Sequence, residues 1–122
     1  MPDIAVVNSS AGSKNVSGFI DSSPLQLTVS KPGLYVVFAR VVLSNDDGDA
    51  QNASARISHD EEFVMDRVDL RLPSGMRTSI SLQGTLRVQG GQKQVNLLCQ
   101  TWKGTAHQSS ICAMEVSELR NT

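Results

Sequence analysis

The sequence predicts an all-β fold in which antiparallel strands pack as a sandwich or close as a barrel. Three observations carry this. Apolar and polar residues alternate with period two over several segments, the pattern of a strand with one face in a core. Turn-forming clusters recur about every 8 to 14 residues, as in chains of short strands. No segment has a convincing helical stripe. The best attempt, Asp60 to Leu70, places Phe63, Val64, Val68 and Leu70 at ambiguous spacing and leans on mediocre helix formers.

Taken in order, Ile4 to Val7 and Val16 to Ile20 read as weak strands around the turn cluster NSSAGS. The first dozen residues are expected to be loosely held. In PLQLTVS, Leu25, Leu27 and Val29 alternate with Gln26 and Thr28. The next segment, GLYVVFARVVLSN from Gly33 to Asn45, has two apolar faces. One is Tyr35, Val37, Ala39, Val41 and Leu43; the other is Leu34, Val36, Phe38 and Val42, broken only by Arg40. A strand wet on one side needs a single apolar face, so a cover is expected over the second. Ala53 to Ser58 and Phe63 to Leu72 are weaker strands. Ser79 to Val88 is the clearest, with Ile80, Leu82, Gly84, Leu86 and Val88 facing one way. QVNLLCQTW turns Val95, Leu97 and Cys99 inward. In SICAMEVSEL, Cys112, Met114 and Val116 are assigned to the core, leaving Ile111, Ala113 and Glu115 outside. The clusters SSP, SKPG, NDDGD, LPSG, QGGQ and KGTAHQSS separate these segments as turns.

Composition narrows the role. A chain of 122 residues suits a single domain over 1–122, and 39% hydrophobic residues suffice for one core. The formal net charge is -1, the basic residues are scattered and aromatics are only 4%, so neither nucleic acid nor membrane insertion is expected. The amino terminus has no secretory signal and no run spans a membrane, which implies a cytoplasmic protein or one exported by a signal-independent route. The three N-x-S/T triplets at Asn8, Asn15 and Asn52 read as chance in a serine-rich chain. Cys99 and Cys112 are too few for a disulfide scaffold and read as buried free thiols.

The order of these signals resembles the jelly roll shared by tumour necrosis factor and the globular heads of the complement first component. A Pro-Gly-x-Tyr sequence opens a long apolar strand; Gly84, Thr85 and Leu86 match a later G-x-L; Gly90 and Gly91 lead tightly to Val95; and the chain closes on SICAMEVSEL. The resemblance covers roughly Leu25 to Leu119. It implies a two-sheet antiparallel jelly-roll sandwich of about 8-10 strands, and three copies packed around an axis. The second apolar face of Gly33 to Asn45 would then contact a neighbouring subunit, with Leu34, Val36, Phe38, Arg40, Val42, Ile111, Ala113 and Glu115 at the contact. The alternative cover is intrachain, by the segment IAVV. A mid-face arginine wants a carboxylate or a bound anion, and Glu115 is the expected partner.

Few constellations suggest chemistry. Asp46, Asp47 and Asp49 cluster in a loop that could hold calcium, although the EF-hand order is absent. His59 lies beside Asp60, but successive strand residues point to opposite faces, so the two are expected not to converge. His107 is the only other histidine, and no G-x-S-x-G, Walker or dinucleotide motif occurs. No enzyme is expected. Trp102, flanked by Lys103 and near His107, could stack on a sugar ring. The expected function is a self-associating, trimeric, non-catalytic module that binds a protein or glycan through loops such as Ser44 to Asn52 and Trp102 to Ser109. The alternatives are a lectin-like module and the structural head of a fibre or virion.

Overall fold

The computed structural model describes residues 6–18, 22–60 and 63–116. The strands are β1 (Val6–Ala11), β2 (Lys14–Asn15), β3 (Ser22–Val29), β4 (Gly33–Asn45), β5 (Gln51–His59), β6 (Phe63–Leu72), β7 (Arg77–Val88), β8 (Lys93–Gln100) and β9 (Gly104–Val116), with no helix among the described residues. A front sheet runs β1-β9-β4-β7, with β2 also paired to β9, and a back sheet runs β3-β8-β5-β6. The pairings are antiparallel throughout, and from β2 onward the chain crosses between the sheets at every connection except the β5–β6 hairpin, as in a jelly roll.

The core fills the space between the sheets. Tyr35, Val37, Ala39, Val41 and Leu43 line the inner face of β4 at 0–4% exposure. They meet Leu27 and Val29 of β3, Ala55 and Ile57 of β5, and Val95 and Leu97 of β8. Among the described residues Tyr35 is the one aromatic side chain in this core, and its hydroxyl donates to the Lys31 carbonyl oxygen at 2.8 Å. A buried hydroxyl without a partner would cost roughly 1–3 kcal/mol, so this bond makes the tyrosine affordable in an aliphatic core.

Two devices join the sheets at one edge. A register shift between Ile57 and Ser58 bulges β6. The bulge carries Met65 over β7, where a Cβ added to Gly84 would lie 2.7 Å from the Met65 Cβ. Next to it, Asp66 Oδ2 accepts a hydrogen bond from the Gln83 backbone N–H at 2.9 Å, capping a donor on the free edge of β7. The glycine of the G-x-L motif is there because the other sheet's edge presses on it.

Several expectations are corrected. NSSAGS is not a turn: β1 runs through Asn8 to Ala11, paired with Ser109 to Cys112, so residues 6–11 are held rather than loose. KGTAHQSS is likewise mostly strand, since β9 starts at Gly104. SSP forms a bulged start to β3. Val16 to Gly18 is loop, its amides donating to Gly104 and Trp102 carbonyl oxygens, and Phe19 and Ile20 lie outside the described residues. In β1 and β9, Ser, Thr and Asn serve as strand residues, where local turn chemistry loses to cross-strand pairing.

The inside–outside reading of β9 is also reversed. Ile111 and Ala113 are core residues, 1% and 0% exposed, whereas Met114 is 42% exposed. Cys112 is half-buried on the outer face and Cys99 is buried; both are free thiols. Ala106 and Ser109 both pair with inward residues of β4 across a bulge, which flips the alternation of everything after it.

Candidate functional site

The register lays out the outer face of the front sheet in rows. Val6 of β1, Met114 of β9, Val36 of β4 and Thr85 of β7 share one row. Asn8, Cys112, Phe38 and Gln83 share the next, and Ser10, Ser110, Arg40 and Ser81 the one after. Val6, Phe38 and Met114 are 51%, 45% and 42% exposed. Leu34, Val36 and Val42 are half-buried by their neighbours. The second apolar face of β4 therefore exists, and nothing within the described residues covers it. β1 extends the sheet in its own plane instead of lying over it, so Val6 and Val7 give no intrachain cover; Ile4 and Ala5 lie outside the described residues.

Arg40 is exposed, and its Nε donates to Ser79 Oγ at 2.9 Å. The expected Arg40–Glu115 pair does not form. Glu115 falls opposite Tyr35, on the inward side of β9 near its end, and its Oε1 accepts from Lys31 Nζ at 2.9 Å. Of the eight residues expected at a contact, Leu34, Val36, Phe38, Arg40 and Val42 share this face, and Ile111, Ala113 and Glu115 do not. Met114 and Cys112 take their places.

The two nominated loops converge at one end of the sandwich. Asn45 and Gln51 are buried amides there. Gln51 Oε1 accepts from the backbone N–H groups of Trp102 and Lys103 at 2.7 and 3.1 Å, and its Nε2 donates to the Lys103 carbonyl oxygen at 2.6 Å and to Asn45 Oδ1. Asn45 Nδ2 donates to the carbonyl oxygens of Asp49 and Leu72 at 2.8 and 2.9 Å. This network ties the Asp46–Ala50 loop, the β8–β9 connection and the end of β6 together. Sequence reading passed over both amides; the Asx turn in NDDG, Asp47 N–H to Asn45 Oδ1 at 2.8 Å, was the available hint.

On the outer side of this end, Asp46 Oδ2 accepts from Thr105 Oγ1 at 2.6 Å and Oδ1 from Ser44 Oγ at 2.8 Å. Ser44 spends its proton on Asp46, so His107 Nε2, 2.7 Å away, acts as donor to the Ser44 oxygen. The Thr105 hydrogen bond, followed by that from Ser44, holds the Asp46 carboxyl below its ordinary range. Asp46 is thus engaged with hydroxyls, and no group of three or more His, Cys, Asp or Glu side chains among the described residues is gathered as a metal would require. Trp102 is 47% exposed and lines a shallow hollow with Asp47, Asn52 and Arg71.

At the opposite end of β5, His59 and Asp60 do meet, contrary to expectation: Nδ1 lies 3.3 Å from Asp60 Oδ2. Asp60 is a turn residue with φ of 52°, so strand alternation no longer applies. Lys93 Nζ holds the same oxygen at 2.8 Å, and the His59 ring stacks on Phe63 at 5.1 Å. Cys99 sits deep in the core, where burial pushes its thiol up to about 12.

Together these features define a jelly-roll sandwich with one apolar outer face and one loop cluster tied by buried amides. Its fold is the tumour-necrosis-factor-like jelly roll. It superposes on murine APRIL with a TM-score of 0.62 at 10% identity, over 93% of this chain and 100% of that one. It also superposes on VP2 of infectious bursal disease virus, from a subviral particle, with a TM-score of 0.59 at 9% identity. That match covers 92% of this chain but only 32% of VP2. No protein-family model matches the sequence, and neither does any curated protein. No helix among the described residues is long and apolar enough to cross a membrane.

Proposed function

We propose that this protein is a non-catalytic module that self-associates, as a trimer, through the outer face of its front sheet, and recognises a partner through the loop cluster around Trp102. The observation that carries this is the stripe of Val6, Val36, Phe38 and Met114 across three paired strands, which none of the described residues covers. Contiguous apolar surface of this kind marks a contact, and a stable contact buries about 1,600 Å² in total. The likeness to murine APRIL and to VP2 supports a binding or structural role over catalysis. So does the site chemistry: His59 is shared with Lys93 through Asp60, and His107 donates into a hydroxyl chain, so neither is poised as a base.

Light scattering across the micromolar range tests the association. A mass of three chains is expected, and a monomer throughout would overturn the reading. For the loop cluster, the exposed Trp102 beside Arg71 and Asn52 favours a glycan as partner. Trp102→Ala should then abolish the hits of a glycan array, and an array without hits would leave a protein partner or a coat role as the better account.

A further inference from the structure

Arg40 poses a problem that self-association sharpens. Its row across the front sheet reads Ser10, Ser110, Arg40, Ser81, and directly opposed side chains stand about 5 Å apart. Between β1 and β4 the row dips into a hollow of about 400 Å³ that Arg40 lines with Ser10, Ser109, Ser110 and Gln108. Every polar side chain there is a guanidinium, a hydroxyl or an amide, and no carboxylate lines it. Ser109 shares the inward side of β9 with Ile111, so the polar side chains offered to the outer face are those of Arg40, Ser10, Ser110 and Gln108. The guanidinium Nε is taken by Ser79, which leaves the Nη groups as donors.

We propose that this hollow binds a tetrahedral oxyanion of the phosphate or sulfate type. Such an anion presents oxygens in several directions at once, to the guanidinium fork on one side and to serine hydroxyls on the other. Among the described residues that face carries Arg40, Arg77 and Arg87, and the acid beside it, Asp46, stands at the loop end, where Thr105, Ser44 and the charge of Arg77 already engage it. The proposal rests on the self-association reading in one respect: covering the face is what turns an exposed guanidinium into one that needs neutralising. The anion then acts as a bridge whose supply sets how readily copies assemble.

The test follows the Arg40 Nε–H and the Ser10 and Ser110 amides by NMR while sodium sulfate replaces sodium chloride at constant ionic strength. Phenyl phosphate serves as a second probe. Saturable shifts are expected, and Arg40→Gln should weaken sulfate binding by about 10- to 100-fold, the loss of one charge-assisted contact. Tighter binding of the ester would point to a phosphorylated or sulfated partner, and tighter binding of sulfate to the free anion. Shifts that never saturate, or that persist unchanged at Ser10 and Ser110 in Arg40→Gln, would overturn the site. Light scattering on the same samples separates the two readings. Sulfate at ten times its dissociation constant should strengthen association by about tenfold. A monomer that binds sulfate leaves the site standing and sinks self-association; an oligomer indifferent to sulfate by both measurements does the reverse.

Discussion

Phe38 and Thr28 stand on opposite outer faces of one sandwich, in strands that alternate alike, and their neighbours differ completely. Around Phe38 lie Met114, Val36 and Cys112. Beside Thr28 lie Gln26 and Gln94, and across the back sheet polar side chains satisfy one another. Gln94 Nε2 donates to Gln26 Oε1 at 3.0 Å, Arg67 Nε holds both Asp69 oxygens at 3.0 Å, and Arg71 reaches Asn52 Oδ1 at 3.3 Å. Water completes the back face, whereas the apolar front gains nothing from water. Backbone geometry makes two equivalent outer faces; side-chain chemistry makes one polar and leaves an apolar stripe on the other.

The largest expected effect comes from placing a charge on the front face. Phe38→Asp should weaken association by about 2–4 kcal/mol, a factor of about 30 to 1,000, while the circular dichroism spectrum stays that of the wild type. Thr28→Asp, the matched change on the back, should leave the mass unchanged by light scattering. Equal responses from the two variants would erase the distinction between the faces.

The seam that holds the faces apart comes next. Gly84→Ala should cost about 1–3 kcal/mol by urea denaturation, because the new methyl meets Met65. Tyr35→Phe should cost about 1 kcal/mol through the lost bond to Lys31. Burial, with a smaller contribution from Glu115, raises the Tyr35 hydroxyl above its ordinary value. Its contribution is therefore complete below about pH 10 and is lost as pH rises through the raised native value. The phenylalanine variant should show a flatter alkaline limb when denaturation midpoints are compared across that range.

The smallest effect is at the loop end. Asp46 has its native value lowered from 3.8, so its contribution holds above that pH and fades as pH falls through the lower native value. Asp46→Asn should therefore lose less stability on acidification than the wild type, by a margin that solvent screening keeps small. Thermal unfolding followed from neutral pH down to about 2 checks this.

Legibility followed the same division. Where one face of a strand was polar, alternation named the inside correctly, as for Ile80 to Val88 in β7 and Leu25 to Val29 in β3. In β9 both faces are apolar, so alternation separated them without saying which is inside, and Ile111 and Ala113 were assigned outward and Met114 inward. The two apolar faces of β4 were plain in the sequence, and its outer residues belong to the candidate contact. Arg40 was legible as an anomaly. Its partner was not, because Glu115 points to the other side of the sheet and serves Lys31.

By itself, the sequence determined the class of fold, the strands with one polar face, and the surplus apolar face of Gly33 to Asn45. These follow from periodicity, which is local and survives without knowledge of neighbours. Only the tertiary structure decided which side of β9 is buried, that β1 widens the sheet without covering it, and that Asn45 and Gln51 knot two distant loops together. Each depends on register between segments far apart in the chain. A single extra residue in a bulge moves every later side chain to the other face, at a position that composition alone does not reveal.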